Sequence, residues 1–201
     1  MAVGPFRGSN TREIEGFKSF MQSRLQDVEA QVFLCGGALD PHKSLEEQSA
    51  ADIRVDMVLR MRRDLPKCGT LLGEDVGLIE AFQETQITTL KKTTIEADLG
   101  SFEAFLANYV DLIIIFPYTP GSYAELGMFS TQELCHKILV INNKRYETSP
   151  SFINRGALEQ AKRGRAIVHY VDYADRDAVY KLITEEMTNV QRRLAVRPKR
   201  R

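Results

Sequence analysis

Cysteine is scarce in this chain, with three among 201 residues. Cys35, Cys68 and Cys135 are an odd number at wide spacing, which implies no disulfide framework and fits a reducing cytoplasm. The three histidines (His42, His136, His169) are scattered, and neither H-E-x-x-H nor C-x-x-C occurs, so the usual zinc signatures are missing. No apolar run approaches the roughly 20 residues that a membrane helix needs. The opening MAVGPFRGSNTRE has no apolar stretch, so no secretory leader is expected. Net charge is missing as well, because 27 Lys and Arg balance 27 Asp and Glu. That balance excludes the broad positive field of a general nucleic-acid binder. A complete G-x-G-x-x-G fingerprint and a Walker lysine are also absent.

What remains is an ordinary globular composition, 43% apolar and 27% charged. A chain of this length makes one domain that buries about 70% of its unfolded surface. Residues 11–29 read as a helix, with Asn10 as cap and Ile14, Phe17, Met21, Leu25 and Val28 at helical spacing. QVFLC (31–35) then reads as a first strand that ends at Gly36-Gly37. Ser44-Leu-Glu-Glu47 is a capping-box pattern that opens a long helix to about residue 63. A second strand at 70–72 ends at Gly73-Glu74, and 78–107 is helical by pattern, with Phe102, Phe105 and Leu106 as an apolar stripe. A third strand (112–116) is apolar without alternation, as expected of a strand covered on both faces. Strands at 137–142 and 166–171 follow, interleaved with helices near 152–162 and 175–194.

This alternation predicts an α/β fold: a doubly wound, flavodoxin- or Rossmann-like, mostly parallel sheet of about five strands. The expected division is an N-terminal helical extension (1–30), one α/β domain (31–194) and a basic tail (195–201). Six of the last ten residues are basic. They suit a solvated terminus, or a short electrostatic arm for nucleic acid or an acidic partner.

In such a sheet ligands bind beyond the carboxyl ends of the strands, where strand order reverses. Gly36, Gly37, Glu74, Tyr118, Pro120, Gly121 and Ser122 fall at those ends, as do Asn142 and Asn143 after the fourth strand. The glycine turns would let a ligand approach the backbone, and helix N-termini there favour phosphate or ribose hydroxyls. Arg54 could reach a phosphate, or pair with Glu47 or Asp52. Glu125 closes Ser122-x-x-Glu125, which can be a capping box, and it also suits a nucleophile on an anomeric carbon or a base for water. Glu103 is either a solvated helix-face acid or a second carboxyl for the same site. Asp111 heads the third strand at its amino end, away from the crevice, and reads as structural. Cys35 reads as buried packing.

Glu103, then Asp111-Leu-Ile-Ile-Ile-Phe116, Ser122-Tyr-Ala-Glu125-Leu-Gly127 and Lys137-Ile-Leu-Val140 together resemble nucleoside 2-deoxyribosyltransferases. They also resemble the related nucleotide-binding domains of the SLOG class. Within that group the chain is similar to the deoxyribosyltransferase-like effectors of bacterial anti-phage systems, including those encoded beside retrons. The resemblance spans residues 32–140 and is densest at 103–127. It implies that Glu125 is the nucleophile, that Glu103 assists at the base or leaving group, and that Gly36-Gly37 belongs to the pocket. The loop before Glu125, Pro117-Tyr-Thr-Pro-Gly121, lacks the acid that the transferases carry there, which favours hydrolysis over base exchange. It also lacks the glycine-rich spacing of the cytokinin-activating phosphoribohydrolases. The resemblance implies a nucleoside, nucleotide or NAD as substrate, with no metal or redox cofactor. It further implies a homo-oligomer, and a reverse transcriptase with its DNA–RNA product as a controlling partner. The rival expectations are a nucleotide-sensing module that binds without cleaving, and an assembly subunit working through its surface.

Overall fold

The computed structural model describes residues 30–40, 42–74, 78, 99–130, 133–151 and 153–196. The helix expected at 11–29, most of the helical stretch 78–98 and the tail 197–201 lie outside the described residues. Five strands form one parallel sheet: β1 (Ala30–Cys35), β2 (Cys68–Leu72), β3 (Leu112–Ile115), β4 (Ile138–Asn143) and β5 (Ile167–Val171). Their order is β2-β1-β3-β4-β5. The register sets Phe33 opposite Leu71 on one side and Ile113 on the other. It continues with Ile115 opposite Val140, and with Asn142 opposite Tyr170. The expected doubly wound α/β domain is therefore what forms, and strand order reverses between β1 and β3.

Strand periodicity explains the two layers that cover this sheet, because alternate side chains face opposite sides. On one face Phe33, Cys35, Ile113, Ile115, Ile138 and Val140 meet two helices, α3 (Leu99–Tyr109) and α4 (Pro120–Ser130). The expected stripe Phe102, Phe105 and Leu106 supplies the α3 side of that contact, and Leu126 and Phe129 supply the α4 side. Phe33 and Phe129 meet edge to face, with ring centroids 6.4 Å apart. The other face carries Val32, Leu34, Leu112, Ile114, Leu139 and Ile141. It packs on α2 (Ile53–Asp64) and on α6 (Arg176–Val196), through Ile53, Met57, Val58, Met61, Val179, Ile183, Met187 and Val190. β3 is buried on both sides along its whole length, which accounts for its unbroken apolar sequence.

The long helix expected from Ser44 breaks into two. The capping box at its start is real: Ser44 Oγ accepts from the Glu47 N–H, and Glu47 accepts from the Ser44 N–H at 2.7 Å. The helix it opens, α1 (Leu45–Ser49), ends after five residues. Asp52 then stands in extended backbone and caps α2 anew, accepting from the N–H groups of Arg54 (2.8 Å) and Val55 (3.3 Å). Near residue 152 the expected helix likewise divides, into a wide π-type turn (Ile153–Leu158) and α5 (Glu159–Arg163). Asp111 is structural, as its position suggests. It accepts from the Gln31 N–H at 3.0 Å while its own N–H donates to the Gln31 carbonyl, so it ties the amino ends of β1 and β3.

Asp52 carries a third bond, from the Tyr118 hydroxyl at 2.8 Å, so it joins a helix cap to the loop after β3. Asp52→Ala is expected to destabilise the fold by about 1–2 kcal/mol. A urea titration would show this as a lower midpoint with an unchanged slope.

Candidate active site

The carboxyl ends of β1 and β3 flank the point where strand order reverses, and the described titratable groups of interest converge there. β1 runs into Gly36-Gly37, β2 into Gly73-Glu74, and β3 through Phe116 and Pro117 into Tyr118 and α4. Arg54 comes from α2 on the opposite face, yet it reaches over the sheet end. Its guanidinium, only 2% exposed, pairs with Glu74 through both terminal nitrogens (3.2 and 3.1 Å) and donates to the Gly37 carbonyl. The expected partners Glu47 and Asp52 are replaced by an acid twenty residues along the chain, supplied by the adjacent strand end.

The glycine turn therefore serves the protein before it serves a ligand. A Cβ on Gly36 would lie 2.7 Å from Arg54 Cδ, so only glycine lets the arginine stem pass. The Gly37 N–H is also taken, donating to the Tyr118 hydroxyl at 3.1 Å. A Cβ there would lie 3.0 Å from the same hydroxyl. Burial first, and then the Asp52 carboxylate, push the Tyr118 phenol well above its ordinary range, so it stays a neutral hydrogen-bonding group.

Ser122 does not cap α4. The helix starts two residues earlier at Pro120, whose fixed φ suits the first helical position, and Thr119 is the cap. Thr119 Oγ1 accepts from the Ser122 N–H at 3.2 Å. Ser122 Oγ is wholly buried, accepts from the N–H groups of Tyr118 (3.0 Å) and Thr119 (2.9 Å), and donates to the Thr119 carbonyl. Its hydroxyl shapes the loop. Pro120 and Gly121 are exposed at the start of α4.

This correction releases Glu125 from the capping box. It sits in the second turn of α4, and its Oε2 is buried with no hydrogen-bond partner. Glu103, projecting from α3, comes within hydrogen-bonding reach of it. Glu103 Oε1 also lies 3.3 Å from where a Cβ on Gly73 would stand, so the end of β2 forms part of the wall. Burial, and then the Glu103 carboxyl, push Glu125 from the usual carboxylate range up to about 8, with Arg54 pulling the other way. Glu103 is raised too, by burial first and then by Glu74. Each carboxyl thus resists ionisation, and a charge on one makes ionisation of the other harder. Cys35 lies buried at the end of β1 beneath them; its thiol is raised well above normal by burial and then by Glu125 and Glu103. It is packing, as expected, with no thiolate to offer. Among the described residues, no group of three or more His, Cys, Asp or Glu side chains is placed to hold a metal ion. Glu74, expected from the sequence at the ligand end of the sheet, anchors Arg54 there and stays 39% exposed. Gly73, read from the sequence as a turn glycine at the ligand end of the second strand, stands beside Glu103 here.

Comparison with known proteins now adds a family. Residues 51–201 match the STM3845 retron effector protein family. The chain belongs to that family. It is also 30% identical over 138 residues to a retron Ec86 protein of Escherichia coli provisionally named ribosyltransferase/DNA-binding protein. A retron Ec73 protein of the same organism, with the same provisional name, is 30% identical over 149 residues. These alignments cover 68% and 72% of this chain but only 39% and 43% of the relatives. The retron effector thus spans about two fifths of the length of the curated relatives it matches. Among its described residues, no helix is long and apolar enough to cross a membrane.

Two outcomes follow from this geometry. A carboxyl raised in the fold keeps its proton where the unfolded chain has lost it, so stability falls as pH rises from about 4.5 to about 8. Glu125→Gln removes that dependence and should raise the thermal midpoint more at pH 8 than at pH 5. An equal shift at both values would contradict the assignment. Glu74→Ala strands the buried Arg54 charge. The expected cost is at the lower end of the roughly 3–5 kcal/mol for a broken buried ion pair, since Glu74 is itself 39% exposed.

Proposed function

We propose that this retron effector cleaves the N-glycosidic bond of a nucleoside, nucleotide or NAD, and that cleavage is its toxic activity in anti-phage defence. The observation that carries the reading is the half-buried Glu103–Glu125 pair at the strand-order reversal, two carboxyls both raised by desolvation. Glu125 is the nucleophile and Glu103 the acid. In the resting pair Glu125 donates its proton to Glu103; the reactive form has that proton on Glu103 and the charge on Glu125. As the C1′–N bond breaks, a Glu125 oxygen bonds to C1′ and Glu103 protonates a departing purine or pyrimidine, whereas the cationic nicotinamide of NAD leaves as a neutral base without that proton. The charge on Glu125 also stabilises the oxocarbenium-like centre through which the sugar passes. Water then attacks C1′, returns a proton to Glu103 and frees Glu125.

The names of the two E. coli relatives, which include ribosyltransferase, support chemistry at a sugar carbon. The loop before Glu125, without an acid to hold an incoming base, supports water as acceptor over a second base. Gly36, Gly37, Glu74 and Ser122 shape the pocket in this reading, while Tyr118, Pro120 and Gly121 form its rim. In the retron setting, the reverse transcriptase and its DNA–RNA product are the partners assigned to restrain the activity in the cytoplasm. A homo-oligomer is the assembly assigned to it.

Purified protein incubated with NAD, nucleoside monophosphates and deoxynucleosides should release free base, seen by chromatography. Glu125→Gln should abolish release, and full activity in that variant would end the assignment. Glu103→Gln should lower turnover by about 10²–10⁴-fold. The pH profile supplies a sharper test. Activity should fall as pH rises through about 8, where the proton leaves the carboxyl pair, and the residual activity of Glu103→Gln should lack that alkaline limb.

A further inference from the structure

We propose that Asn142 is a substrate-binding residue of the Glu125 site, accepting a hydrogen bond from a hydroxyl of the sugar. This inference rests on the N-glycosidase reading and names a contact that neither the motifs nor the relatives assign.

Asn142 is a polar side chain at the carboxyl end of β4, 2% exposed, and its Oδ1 has no hydrogen-bond partner. Leaving a buried acceptor unpaired is destabilising, whereas an apolar side chain of similar shape carries no such penalty. The β4 residues before it show what the fold alone would place there: Ile138, Leu139, Val140 and Ile141 are all buried and apolar. Strand alternation gives Asn142 the face of Ile138 and Val140. That face packs on Leu126 and Phe129 of α4, the helix that carries Glu125. The register adds its height. Val140 pairs with Ile115, the last residue of β3, so Asn142 stands two residues higher, level with the loop from which α4 starts. Its neighbour on β5 is Tyr170, which packs against the same core.

Two buried oxygens without partners thus belong to one packed layer, Glu125 Oε2 on α4 and Asn142 Oδ1 at the carboxyl end of a strand that α4 covers. An acceptor is satisfied by a donor. A sugar hydroxyl is the donor that nucleosides, nucleotides and NAD share, and the sugar is the part of the substrate that Glu125 must meet. Asn143, next along the strand, behaves differently: its carboxamide oxygen accepts from the Arg145 N–H at 3.1 Å and caps the turn that follows. One asparagine of the pair is used by the fold, and the other is kept for a ligand.

The test uses full-length protein carrying Glu125→Gln, so that ligand is bound without being consumed. AMP, dAMP, NAD and 2′-, 3′- and 5′-deoxyadenosine are titrated calorimetrically, with and without Asn142→Leu, and thermal midpoints are recorded alongside. The expected result is an affinity loss of ten-fold or more in Asn142→Leu, with a midpoint unchanged or raised. One of the three deoxyadenosines should show no further loss, which identifies the hydroxyl. Asn142→Ala serves as the second variant if the leucine fails to fold, with the same loss of affinity expected. Undiminished binding in a folded Asn142 variant would overturn the assignment while leaving the N-glycosidase reading intact. Absence of binding by every probe to the Glu125→Gln protein would overturn both.

Discussion

The buried Arg54 guanidinium holds the upper end of this molecule together. It leaves α2 on one side of the sheet, crosses beside a glycine too small to obstruct it, and binds the end of β1 through the Gly37 carbonyl and the end of β2 through Glu74. A charge that is 2% exposed is tolerable only because an acid and a carbonyl meet it. Glu74 is the accessible half of the pair, so the balance is asymmetric: the protein tolerates a partly solvated acid but not a lone buried cation. The same cation draws down the raised carboxyls beside it. Fold and site therefore share one electrostatic support.

Around that support the carboxyl pair is set by burial more than by any single contact. Glu103 and Glu125 arrive from two different helices, α3 and α4, both held on the same face of β1 and β3 by apolar packing. The layer of Phe102, Phe105, Leu126 and Phe129 excludes water beneath the carboxyls, and this desolvation lifts both above the ordinary carboxylate range. The raised carboxyls are here a product of hydrophobic packing. Tyr118 adds rigidity at the loop, because its hydroxyl donates to the cap of α2 while accepting the Gly37 N–H.

The expected five-strand parallel fold was legible in the sequence because each strand carries a short, largely apolar run that alternates with helical patterns. The helix stripe Phe102, Phe105 and Leu106 was legible for the same reason, since burial leaves its period in the chain. The capping box at Ser44 was also read correctly, as it needs only four neighbouring residues. The break at Asp52 was not, because Asp52 is held by Tyr118, sixty-six positions away. Ser122-x-x-Glu125 misled in the opposite direction. It matches a capping box, but Thr119-Pro120 begins the helix earlier, and the hydroxyl of Ser122 folds back on its own loop.

The sequence by itself determined the strands and the doubly wound class. These follow from local period, which neighbouring residues encode, whereas Glu125 and Glu103 were singled out as a pair by the family resemblance. Only the tertiary structure decided that the two acids lie side by side, that Glu74 belongs to Arg54, and that Asn142 is left unpaired. Each of these depends on which strand ends lie side by side in the order β2-β1-β3-β4-β5, and on how deeply water is shut out. Proximity between distant residues and the loss of solvent are properties of the packed sheet, and no local spacing records them.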